Sequence, residues 1–70
     1  MLEKGRLYRV NSYALSEKCM FRETNHKIVR EHGYLWVWRG ESESRFYEMH
    51  SLATEATTQF LEEELEEADA

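Results

Sequence analysis

No stretch limits the folds open to this chain more than Gly33-Tyr34-Leu35-Trp36-Val37-Trp38-Arg39-Gly40, which holds both tryptophans in alternating register. As a strand it sends Tyr34, Trp36 and Trp38 to one side and Leu35 and Val37 to the other, because successive side chains on a strand point to opposite faces. Both faces are then apolar, as in a strand buried on both sides. A chain of 70 residues has little material for two cores, so one face is a candidate for a partner.

This length permits one domain, residues 1–70, and folding at this size buries only about 60% of the surface that the unfolded chain exposes. A core of this kind rarely yields more than ~3–5 kcal/mol without staples. The chain has one cysteine, so no internal disulfide can supply one. Homodimerisation is therefore one route to further burial. The lone Cys19 also favours a reducing compartment. No segment approaches the ~20 apolar residues of a membrane span, and Met1-Leu2-Glu3-Lys4-Gly5 lacks the apolar run of a signal peptide. A cytoplasmic location is the expectation.

The net charge is -5, and its distribution is uneven. Residues 1–45 hold all nine Lys and Arg against six acids, whereas residues 46–70 hold eight acids and no base. Such segregation either keeps a small protein soluble or offers an acidic surface to a basic partner.

Along the chain, Gly5–Leu15 alternates as a strand with a bend at Asn11-Ser12. Ser16–Asn25 is ambiguous between strand and helix and leans to strand, ending in a turn at Thr24-Asn25-His26. Lys27–Glu31 is short and rich in β-branched residues, so it too is expected as a strand. A hairpin turn at His32-Gly33 would pair it with the tryptophan strand. The polar stretch Gly40–Ser44 then leads into a further strand, Arg45–Met49, which leaves the tryptophan strand in the sheet interior. Ser51 is placed to cap a final helix over 52–67. At 100° per residue Leu52, Ala53, Ala56 and Phe60 share one arc of that helix, with Leu61 and Leu65 in another, where they could meet a second copy of the chain.

Four residues could ligate a metal: Cys19, His26, His32 and His50. Their spacing, C-x6-H-x5-H-x17-H, contains none of the tight pairs from which a structural zinc site is usually built. Neither a metal nor another cofactor is expected on this basis. Cys19 has no adjacent histidine to activate it as a nucleophile, and the three glycines at 5, 33 and 40 form no phosphate loop. No catalytic residues emerge, and the expectation is a protein that is not an enzyme.

The expected fold is α+β: a small twisted antiparallel sheet of four or five strands within residues 6–49, with one C-terminal α-helix over 52–67. An SH3-like partial barrel is the alternative closure of that sheet. The expected function is a small non-enzymatic protein that binds a protein partner stoichiometrically, as an inhibitor or regulatory accessory factor of phage or mobile-element type. Tryptophan, tyrosine and arginine are enriched at interface hot spots. That assigns contact to Trp38, Arg39, Arg45 and Tyr47, and contact with a basic surface to Glu62, Glu63, Glu66 and Glu67. The alternative is a single-strand nucleic-acid module that stacks bases on Trp36 or Trp38 with arginines along the phosphates.

Overall fold

The computed structural model describes residues 1–68 of the chain. In order these form β1 (Leu7–Val10), a 3-10 turn (Tyr13–Leu15), α1 (Arg22–His32), β2 (Leu35–Glu43), β3 (Phe46–Ser51), β4 (Thr57–Leu61), a second 3-10 turn (Glu62–Glu64) and β5 (Leu65–Glu67). All five strands lie in one antiparallel sheet of order β4-β3-β2-β1-β5. The tryptophan strand is central, as its two apolar faces require, and Trp36 is fully buried. Its neighbours are β1 and β3, with Tyr8 opposite Trp36 on one side and Ser51 opposite it on the other.

The sheet cannot be flat. Four strand spacings of about 4.8 Å would put β4 and β5 roughly 19 Å apart. Yet Leu61 and Leu65 are joined by three residues, which span at most about 14 Å. The sheet therefore curls until its two edges stand on either side of the Glu62–Glu64 turn. Tyr8, Val10, Trp36, Met49, Phe60 and Leu65 fill the concave side, and Val29 of α1 joins them. Trp36 meets Phe60 edge to face at 5.1 Å between centroids.

The helix is not C-terminal. It lies between β1 and β2, where Lys27–Glu31 was expected as a strand and Ser16–Asn25 leaned the same way. Its buried face carries Asn25 and Val29, four residues apart, with half-buried Ile28 and His32 beside them. That is a helical spacing, but the polar Asn25 in the middle of the stripe disguises it. Tertiary packing of Ile28 and Val29 then outweighs their modest β-preference. Gly33 does take a positive φ, though as the end of α1 and not as a hairpin turn: φ is 86°, and its N–H donates to the Val29 carbonyl at 2.9 Å.

The expected helix over 52–67 is replaced by β4, the second 3-10 turn and β5. Ser51 does behave as a cap, since its Oγ accepts the N–H groups of Ala53 and Thr54. Only one turn follows. Glu55 adopts a φ of 67°, and Thr57-Thr58 gain more as a strand beside β3 than in a helix, where β-branched residues lose χ1 freedom. Downstream, a helix would stack Glu62 on Glu66 and Glu63 on Glu67 as like charges. The strand instead sets Glu66 opposite Arg9 and places Glu67 2.9 Å from Arg6. Leu61 and Leu65, assigned to self-association on helical geometry, are 7% and 8% exposed and are taken up by this chain's own interior.

Gly33 combines its φ of 86° with a ψ of 178°, a region open essentially to glycine alone. A Cβ there would stand 3.8 Å from the Ala53 Cβ, an ordinary contact. Gly33→Ala should therefore cost about 1–3 kcal/mol through the backbone alone, read as a lower urea midpoint at unchanged m value.

Candidate functional site

Two places concentrate polar chemistry, one buried and one open, and they share the segment between β1 and α1. The buried one is centred on Glu64, whose side chain is 1% exposed. Its Oε1 accepts the Leu61 N–H at 2.8 Å. Its Oε2 accepts the Cys19 thiol and the Asn25 amide, each at 3.2 Å. The same Asn25 Nδ2 donates to the Ala14 carbonyl at 2.9 Å, and the backbone carbonyl of Glu64 accepts the Asn11 N–H. Thus one carboxyl ties the turn joining the sheet edges to the loop before α1 and to α1 itself, and Asn25 carries the link on to the first 3-10 turn. Among the described residues no buried side-chain nitrogen or oxygen is left without a partner.

Cys19 is part of this cluster and not an activated nucleophile. Burial pushes its thiol up from the usual range, the neighbouring Glu64 acts in the same direction, and a backbone hydrogen bond with Phe21 only partly offsets them. A thiol held in its neutral form is a poor nucleophile. Its histidine candidates lie elsewhere: His26 Nε2 is 2.9 Å from the Leu15 carbonyl oxygen, and His32 Nδ1 is 2.8 Å from the Thr54 hydroxyl. His50 faces Glu41 across the β2–β3 ladder. The cysteine and three histidines singled out by residue type thus take separate partners. A different trio, Glu41, Glu48 and His50, brings its donor atoms within 4.8 Å of one another. In sequence it is E-x6-E-x-H, which signals nothing until the strands are in register.

The open site is a groove of about 420 Å³ between the segment 13–21 and the β2–β3 turn. Phe21 and Phe46 meet edge to face at 5.9 Å inside it, and Leu61 stands opposite Phe46 across β3 and β4. Met20 lies at its rim, 86% exposed, with half-exposed Tyr13 beside it. Lys18, Arg45 and Glu63 supply the charge. Sequence reasoning found Arg45 and Glu63 but missed Met20, Phe21 and Phe46. The ambiguity of residues 16–25 between strand and helix left it open that Met20 and Phe21 sit on a loop against the hairpin.

The expected contact residues are divided by the fold. Trp38 and Tyr47 pack edge to face at 5.0 Å and lean on the core, with the Trp38 indole N–H donating to the Glu41 carbonyl. Arg39 and Arg45 are exposed. Of the four acids, Glu67 pairs with Arg6, Glu66 with Arg9 and Glu62 with the N-terminal amine. Glu63 alone among them lines the groove without an ion pair among the described residues. Trp36 is inaccessible to a stacking base.

No protein-family model matches the chain, and no curated protein or solved structure is similar enough to count as a match. Among the described residues no helix is long and apolar enough to cross a membrane.

Asn25→Ala should cost about 1–3 kcal/mol, because it removes donors from a buried carboxyl and a buried carbonyl; thermal and urea unfolding check this. The Cys19 thiol gives a separate pH signature. Its folded pKa is raised, so between the two values the unfolded chain releases a proton that the folded chain keeps. Stability should therefore fall as pH rises past the free thiol's ~8.5. Urea midpoints between pH 7.5 and 10 should decline less steeply in Cys19→Ala, and iodoacetamide should label the native thiol far more slowly than the unfolded one.

Proposed function

We propose that this chain is a small non-enzymatic domain that binds a protein partner stoichiometrically, as an inhibitor or regulatory accessory factor does. The groove between residues 13–21 and the β2–β3 turn is the surface we assign to that partner. Its strand order, with the two edges joined through a 3-10 turn, supports regarding the sheet as an SH3-like partial barrel, which is part of the same proposal.

The observation that carries it is the exposure of Met20 at 86% beside the Phe21–Phe46 pair. A large apolar side chain left in water beside half-buried aromatics is surface that a partner can dehydrate, at ~25 cal/mol per Å² removed from water. Methionine suits the role because its unbranched thioether adapts to the shape it meets. Lys18 on one wall, Arg45 on the other and Glu63 beside them give the rim both signs of charge. Such a rim fixes orientation and steers encounter more than it adds affinity.

The acidic surface inferred from charge segregation shrinks to Glu63 at this groove, since Glu62, Glu66 and Glu67 are engaged within the chain. A nucleic-acid platform draws no support from the buried Trp36.

The test is quantitative capture from cell extract on the immobilised chain, comparing the parent with Met20→Asp and Arg45→Glu. A protein retained by the parent and depleted by both variants is the expected result. Against that purified protein, Met20→Asp should cost about 2 kcal/mol or more, the scale of an interface hot spot. Capture indifferent to both substitutions removes the groove from consideration.

A further inference from the structure

We propose that Glu41, Glu48 and His50 form a binding site for a divalent metal ion of the zinc type on the outer face of the sheet. The site is separate from the groove and does not depend on the function assigned to it.

Strand geometry brings the ligands together. Met49 is fully buried, so Glu48 and His50 on either side of it in β3 both point away from the core. The third ligand arrives from β2. Trp38 pairs with Met49 and Ser42 with Tyr47, so Arg39, Gly40 and Glu41 together face the single residue Glu48. This bulge, in which Gly40 takes a φ of 100°, re-aims Glu41 toward its neighbours on β3. The Trp38 indole N–H holds the Glu41 carbonyl at 2.7 Å and so fixes the backbone there.

The distances suit a metal better than they suit a hydrogen bond. All three donor atoms lie within 4.8 Å of one another. His50 Nε2 and Glu41 Oε1 are 3.4 Å apart, beyond the ~2.7–3.2 Å of a good hydrogen bond. Metal–ligand bonds of about 2.0–2.1 Å arranged tetrahedrally set ligand atoms about 3.3–3.4 Å apart. The His50–Glu41 side of the triangle is therefore already the length of a coordination-tetrahedron edge, and Glu48 lies within 4.8 Å of both.

Charge points the same way. Two carboxylates converge here, and among the described residues neither forms an ion pair with a lysine or arginine; the pairing of Glu41 is with His50 alone. Glu48 is half-buried, and its carboxylate has no hydrogen bond or ion pair among those residues. A divalent cation would relieve that repulsion. His50 has a side chain only 15% exposed and sits in register between Val37 and Thr57, so the imidazole comes from a rigid element, as a defined metal site needs. One imidazole with two carboxylates favours zinc and its transition-metal neighbours over magnesium and calcium, which prefer oxygen alone. Three protein ligands leave a fourth position open to water or to an outside donor.

The experiment is calorimetric titration of the full chain with zinc chloride, paired with NMR spectra of the Trp38 indole and histidine ring signals. The expected result is a single zinc per chain, retained in a His26→Ala/His32→Ala double variant. Glu48→Gln should weaken it by at least the roughly 10–100-fold that losing even a supporting partner costs, and His50→Ala should abolish it. The Trp38 indole and His50 signals should move with zinc and stay put with magnesium. Both single substitutions are on the outer face, so unchanged near-ultraviolet dichroism will show that the fold persists. Zinc binding that survives His50→Ala, or vanishes in the double variant, or is absent from the parent chain overturns the proposal.

Discussion

The fold depends on a single buried carboxyl. Glu64 sits on the three residues that connect the two edges of the sheet, and it is 1% exposed and forms no ion pair among the described residues. Sealing a carboxyl from water is costly unless donors replace the solvent. Here the replacements come from three directions, the Leu61 N–H, the Cys19 thiol and the Asn25 amide. Each donor belongs to a segment that must be correctly placed before the carboxyl is satisfied. Closing the edges, seating α1 and ordering the loop before it are therefore one coupled event, and partial satisfaction would be worse than an apolar interior.

Charge is organised on the same plan. The basic first part of the chain and the acidic last part meet along β1 and β5, where Arg9 faces Glu66 and Arg6 reaches Glu67. Exposed pairs of this kind contribute at most about 1 kcal/mol each, so their value lies in register more than in stability. Charge left over after that pairing marks the two surfaces with chemistry still available: the groove with Lys18, Arg45 and Glu63, and the outer face with Glu41 and Glu48 around His50.

The elements that sequence reasoning placed well are those whose local signal and tertiary role agree. Trp36 is in an interior strand of an antiparallel sheet, Phe46–Ser51 follows it as a partner strand, and the chain bends after Val10 where Asn11 begins a turn by accepting the Ala14 N–H. Errors arose where one local signal serves two structures. Gly33 has the positive φ of a hairpin turn but ends a helix, and Ser51 caps a turn that goes no further. Asn25 reads as a turn residue until Glu64, 39 positions away, explains why an amide belongs in the interior. The groove was half legible: Arg45 and Glu63 stood out by charge, while Met20 and Phe21 lay in the stretch 16–25, whose local signals did not decide between strand and helix.

By itself the sequence determined the central strand, because a strand that is apolar on both faces is best covered in a sheet interior, where Trp36 is fully buried and Leu35, Val37 and Trp38 are partly so. It also determined that a basic part and an acidic part would have to coexist in one small domain. Tertiary structure alone decided that Leu65–Glu67 is a strand, since the arginines of β1 convert like-charge stacking into opposite-charge pairs. It alone decided, too, that Glu41, Glu48 and His50 are neighbours, because pairing between strands and a bulge in one of them are properties of no local segment.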